Sequence, residues 1–170
     1  MRRHKGMRPH DVVILLKIAA FKGKHWLAKD LAQTLNISAS EVSESLNRSK
    51  LAGLIAGDKR RLMKNNLLEF LAHGLRYVFP AEIGAIQRGM PTAHSAPPLN
   101  DFLGGEEPYV WPCAEEKKRG QAIEPLHPGV PSACAKDPLL YELLALTDAL
   151  RLGRAREKQR AVEELRKRIL

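Results

Sequence analysis

Ser40, Ser43, Glu44, Asn47, Arg48 and Lys50 recur at steps of three and four residues, a spacing that gathers them on one side of an α-helix. Short hydroxyls, an amide and cations are the groups able to meet base edges and phosphates in the major groove of duplex DNA. Ser43 and Asn47 are expected to read bases, while Arg48 and Lys50 mainly position the DNA backbone. Ser38, just ahead of this face, joins the same set of expected DNA contacts.

These side chains need a helix presented outward on a second helix. In the stretch before them Leu27, Leu31 and Leu35 fall at i, i+4 and i+8, an inward stripe, while Ala28 and Ala32 keep the flank thin enough for close packing. Asn36-Ile37-Ser38 breaks that helix. Ser38 then stands three residues before Glu41, the spacing of a capping box, so a second helix should begin at Ala39 with Ala39, Val42 and Leu46 inward. Two helices joined by a three-residue turn have the layout of a helix-turn-helix DNA reader. The plainer alternative is a pair of amphipathic helices in an ordinary bundle.

Continuing from Ile37 through Gly53-Leu54-Ile55 into a Gly-Asp turn and a basic run, the sequence resembles the winged helix-turn-helix of MarR-type and related bacterial regulators over residues 9–78. The resemblance implies that the helix after the turn enters the major groove and that a β-hairpin wing touches the flanking backbone. Gly53-Leu54-Ile55 would open the wing, Gly57-Asp58-Lys59-Arg60 would turn it, and Arg61-Leu62-Met63 would return. Lys59, Arg60 and Arg61 are then the wing's phosphate contacts. This wing is shorter than the family's usual one.

Charge is segregated along the 170 residues: net +9 over 1–80, −5 over 81–150 and +5 over 151–170. Segregation of this kind favours a polyanion partner for the N-terminal segment and makes the acidic middle unfit to lie against phosphates. The basic start, with Arg2 and Arg3, reads as an arm near DNA. No apolar run approaches the roughly 20 residues that cross a bilayer, and no secretory leader is recognisable, so a cytoplasmic protein without membrane association is expected. Cys113 and Cys134 are expected to be free thiols, and with His94 and His127 they show no recognised zinc spacing.

The expected fold is mainly α with a small β component (α+β). Residues 1–79 form the winged helix-turn-helix, with Pro9 opening an apolar core helix over Val12–Ala20 and Asn65 or Asn66 capping a later helix that buries Leu67, Leu68, Leu71 and Leu75. Residues 80–138 hold ten of the eleven prolines and read as an irregular connector. There a hairpin is expected from Tyr109-Val110-Trp111 and Gln121-Ala122-Ile123, a short strand near Ile83 to Ile86, and a mobile loop over 90–106. Residues 139–170 form two helices. Leu139, Leu140, Leu143, Leu144 and Leu150 are read either as the rest of the core or as a dimerisation surface, the latter being preferred.

No phosphate-cradling, metalloprotease or nucleophile-elbow pattern occurs, and nothing orients Cys113 or Cys134 on His127, so no catalytic residues, metal or cofactor are expected. Trp26, Tyr77, Trp111 or the cysteines could line an effector pocket, a feature that the resemblance suggests. The expected function is a sequence-specific, double-stranded DNA-binding transcriptional regulator, a repressor acting as a homodimer. The alternative is an antitoxin-like or adaptor protein that autoregulates through the helix-turn-helix and holds a partner protein through residues 80–170.

Overall fold

Four polar side chains start four of the helices. Asp11 accepts from Arg8 N–H at 2.8 Å and Asp30 from Leu27 N–H at 2.7 Å, each carboxylate reaching back over the first turn. Ser38 accepts from Glu41 N–H at 3.2 Å and Asp137 from Leu140 N–H at 3.0 Å, each side chain reaching forward. All four satisfy backbone donors that a helix start leaves open. In the computed structural model, which describes residues 5–103 and 107–170, the helices are α1 (Pro9–Ala20), α2 (Ala28–Leu35), α3 (Ala39–Leu51), α4 (Lys64–His73), α5 (Leu75–Val78), α6 (Val130–Ala135), α7 (Pro138–Leu152) and α8 (Ala155–Ile169). Three strands, β1 (Ile86–Thr92), β2 (Tyr109–Pro112) and β3 (Arg119–Ala122), complete a fold that is mainly α with a small β component.

The turn between α2 and α3 is as tight as expected, with Asn36 in the left-handed region at φ 52°, a conformation asparagine tolerates. Three details differ. Leu27 precedes α2 rather than opening its inward stripe and is 37% exposed, leaving Leu31 and Leu35 to do the packing. Ala39 is exposed at the first turn of α3, where the helix has not yet reached the core. The capping box is half made, because the Glu41 carboxylate is drawn to Arg48 and His10 instead of back to Ser38.

The wing reduces to one bridge, Ile55 to Leu62, closed by Ala56 N–H to Arg61 O at 2.8 Å and Met63 N–H to Leu54 O at 3.0 Å. Asp58 holds its tip by accepting from the N–H groups of Arg60 and Arg61. Asn66 does not cap α4, which begins at Lys64. Its amide donates to Gly53 O at 2.8 Å, tying α4 to the end of α3.

In the middle segment the expected hairpin is not formed. β2 and β3 run parallel, Tyr109 beside Gln121 and Val110 beside Ala122, because both pair antiparallel with the longer β1. Gly89 pairs with Pro112 and Ile86 with Gln121, so three strands close on themselves. Such closure brings backbones into contact: a Cβ on Gly89 would stand 2.0 Å from Trp111 O, and one on Gly120 2.5 Å from Pro108 O. Only glycine fits at either place. The described part of 90–106 is not a free loop, since Met90, Thr92, Ala93, His94, Ala96 and Leu99 are buried in the end of β1 and two 3-10 turns.

α7 is the central element. It packs against α1, α4, α5, α6, α8 and β1, and this cover accounts for the all-round apolar α1, whose Val12 to Leu16 are fully buried. Leu140, Leu143, Leu144 and Leu150 are at most 3% exposed and Leu139 is half-buried, so the surface expected to hold a second subunit is already used inside the chain. One continuous apolar cluster joins residues of all three expected segments, among them Leu16, Trp111 and Leu143. Across it Asp148 of α7 accepts from Thr92 at 2.8 Å, Trp111 Nε1 at 2.6 Å and Arg151 at 2.8 Å, fastening the sheet to the helices. Among the described residues, no helix is long and apolar enough to cross a membrane.

Candidate nucleic-acid interface

Val42 and Leu46 seat α3 in the core, and Ser45 and Ser49 lie fully buried on the same side, where their small side chains let neighbouring helices approach closely. What remains outside is an arc of Ser40, Ser43, Glu44, Asn47, Lys50 and Leu51, all exposed and spanning about 120° of the helix at about 3.6 residues per turn. Ser40 at its start meets the Ser38 hydroxyl at 3.2 Å. Ser38 itself is occupied as the cap.

Arg48 does not belong to this arc. Its Nε and Nη2 donate to the two oxygens of Asp11 at 2.9 and 2.8 Å, and Nη2 also donates to Glu41. The guanidinium side chain is 9% exposed and the Asp11 side chain fully buried, so Arg48 joins α3 to α1 and is not free for phosphate. His10 Nε2 stands 2.8 Å from the same Glu41 carboxylate. The arginine hydrogen bond is the main cause that holds the Glu41 carboxyl below its usual range, with His10 adding and partial burial opposing. Pairing with Asp11 and then Glu41 raises the already high arginine value further, against the desolvation. Ligand atoms of His10, Asp11 and Glu41 lie within 4.8 Å of one another, a grouping of the kind that holds a metal ion, but Arg48 already supplies the positive charge there.

Beside the arc lies an open recess of about 470 Å3, whose walls include Lys5, Arg8, Glu44, Asn47 and Leu51. It brings two cations of the N-terminal segment alongside α3: Lys5, the last residue of the basic arm expected near DNA, and Arg8, which sequence spacing does not single out. Arg2 and Arg3 lie outside the described residues. At the wing, Arg61 is exposed and Lys59 half-buried, with Lys59 in the left-handed region at φ 57°. Arg60 is exposed but tethered: its guanidinium donates to Trp26 O at 2.6 Å and lies 5.2 Å from the centre of the Trp26 ring.

Leu51, 71% exposed at the end of the arc, escapes a reading by sequence because apolar periodicity assigns leucine to the core. In a major groove an apolar side chain meets the thymine methyl. Arg48 is misplaced by sequence for the opposite reason. The signal that could have placed it is Asp11, an acid directly before the apolar run Val12 to Leu16, since a buried carboxylate calls for a cation.

The other groups considered for chemistry are separate. Trp26 stacks on Phe21, Trp111 is 1% exposed with its N–H on Asp148, and Tyr77 is 76% exposed, so these rings line no common pocket. Cys134 is 3% exposed, its thiol pushed up by burial, and Cys113 is half-buried. His127 Nδ1 accepts from Gly129 N–H at 3.0 Å, and its ring meets that of His10 edge to face at 6.1 Å. Three cations of α8 are paired: Arg168 with Glu142 and Glu164, Lys167 with Glu164, and Arg160 with Glu163 and Glu164.

Comparison with protein families, curated proteins and solved structures finds none that matches this chain.

Proposed function

We propose that the chain binds double-stranded DNA through the exposed face of α3 and regulates transcription, acting as a repressor. The observation that carries this reading is the contrast between the two sides of α3. One is fixed to α1 through Arg48 and Asp11, while the other offers hydroxyls, a carboxylate, an amide, a lysine and a leucine to solvent beside Lys5 and Arg8. A rigidly held helix with a solvent-facing polar arc is what base readout requires, because side chains must reach base edges at fixed positions. On this reading Ser40, Ser43, Glu44, Asn47 and Leu51 meet bases, while Lys50, Lys59, Arg61, Lys5 and Arg8 meet phosphates. No catalytic role enters it.

Selection of bound fragments from a random duplex library at near-physiological salt tests the proposal. A recovered consensus that loses its preference at one position in Asn47→Ala supports it. Recovery of fragments without a shared sequence would remove sequence-specific regulation.

A second reading, a DNA-binding adaptor that holds another protein, is favoured by one observation. Tyr77, Val78, Ile83 and Ile86 are exposed at 76, 53, 47 and 54% within one short stretch of chain. A homodimer would have to use a surface of this kind, since the α7 leucines are buried.

A further inference from the structure

Register on the small sheet sets two like charges side by side. Arg88 of β1 and Arg119 of β3 are direct antiparallel partners, an arrangement that repels, and among the described residues neither side chain takes part in an ion pair. Both are exposed. Four of the five cations of residues 81–150 gather here, Lys117 and Lys118 standing just before Arg119. Ile86 lies two residues before Arg88 and so shares its face of β1, opposite Gln121, at 54% exposure.

The other exposed apolar side chains of this stretch adjoin that face. Gly84 N–H donates to Ala122 O at 2.8 Å, which lays Ile83 along β3. Arg151 donates to Phe79 O at 2.9 Å and to Glu124 O at 3.4 Å, so one guanidinium holds the chain after Tyr77 and Val78 beside the chain leaving β3. Arg76 lies over the Tyr77 ring at 5.4 Å. Tyr77, Val78, Ile83 and Ile86 thus form apolar surface bordered by cations, with Glu82 the single acid between residues 76 and 88.

Three occupants can be told apart by chemistry. Phosphates of DNA would meet the arginines and leave the apolar residues uncovered. A second copy would, in a two-fold contact, set the same patch against itself and bring Arg88 and Arg119 of both chains together. A segment that carries carboxylates among apolar side chains matches both parts of the surface. We propose that this surface docks an acidic, apolar-rich peptide segment of a partner protein, with carboxylates on Arg88 and Arg119 and apolar side chains on Tyr77, Ile83 and Ile86. Such docking rests on the second reading above, in which the chain holds another protein, and is independent of α3.

Selection from a random peptide library against the full chain tests it. Enriched peptides should carry several Asp or Glu among apolar residues, and a synthetic copy of the best should shift the backbone amide resonances of Ile86, Arg88 and Arg119. Arg88→Glu with Arg119→Glu again sets two like charges in register, so it should keep the strand pairing. It should weaken that peptide about tenfold or more, and the same library should now enrich Lys and Arg. Ile86→Ser should weaken the peptide about tenfold. Peptides that map elsewhere on the chain would keep the adaptor reading and overturn this surface, whereas enrichment of none overturns both. Equal binding by the parent and the charge-reversed protein, or concentration-dependent shifts of the same resonances without peptide, also overturns the proposal.

Discussion

Arg48 grips both carboxylate oxygens of Asp11, at 2.9 and 2.8 Å, across the contact between α3 and α1. The pair is nearly dry and fixes the rotation of α3 about its own axis, and so determines which residues face outward. Removing one partner leaves a buried charge uncompensated, which costs about 3–5 kcal/mol, whereas replacing both by apolar groups of similar size is often neutral. Arg48→Ala should therefore lower unfolding stability by about that amount, and Asp11→Leu with Arg48→Met should recover most of it. Chemical denaturation checks this. An Arg48→Ala protein of unchanged stability that binds DNA with a smaller salt slope would return Arg48 to the phosphate contacts.

Within that frame Asn47 and Leu51 are expected to read bases. Removing a good base contact costs about 1–3 kcal/mol of discrimination. Asn47→Ala should relax preference at one base pair, and Leu51→Ala should lower preference for thymine at another, each with fold and stability intact. Competition between operator variants measures both, and unchanged preferences would take the residue out of the reading set.

Charge around the arc should act without sequence preference. Replacing Lys5, Arg8, Lys59 and Arg61 by alanine should weaken specific and non-specific duplexes alike, lowering the salt slope by about 0.9 for each phosphate that is no longer neutralised. Arg60→Ala should instead act on stability, since its side chain is held by Trp26. The comparison of these variants separates wing contacts to DNA from wing contacts to the protein.

The succession of α2, a tight turn and α3 is legible in the sequence because its signals are local: the Asn36 turn, the Ser38 cap and the Leu31 and Leu35 stripe each act within a few residues. The arc of α3 is legible for the same reason, apart from Arg48 and Leu51. Those two depend on what lies opposite. Asp11 is 37 residues from Arg48 in sequence, and no spacing rule within one helix reveals such a partner. The parallel pairing of β2 with β3 is hidden similarly, since alternation marks a strand but not its neighbour, and the common partner β1 contains Pro91 and Gly89, which argue against a strand. The leucines of α7 are legible as apolar and not as internal, because whether such a face meets its own chain or another is decided by α1, α4 and the sheet together.

Acid should weaken the fold partly through Glu41. Its folded-state value is depressed, chiefly by Arg48, so the carboxylate contributes stability that is fully present above the unfolded value of about 4.3 and is lost as pH falls through the folded one. Glu41→Gln should flatten the stability profile on the acid side and leave it little changed in shape near neutrality. A profile with the same acid slope in variant and parent would show that the Glu41 interactions with Arg48 and His10 add nothing.

Leu143 is fully buried inside the chain, so Leu143→Ala should leave a cavity and cost about 2–5 kcal/mol of unfolding stability. It should not change the sedimentation of the folded protein, because no subunit contact is being removed. Association, where the protein shows any, should respond instead to Tyr77→Ser with Ile83→Ser, two exposed positions whose replacement removes apolar surface without opening the core. A dimer that dissociates on Leu143→Ala while each chain keeps its stability would place α7 back at a subunit interface and contradict its burial within the chain.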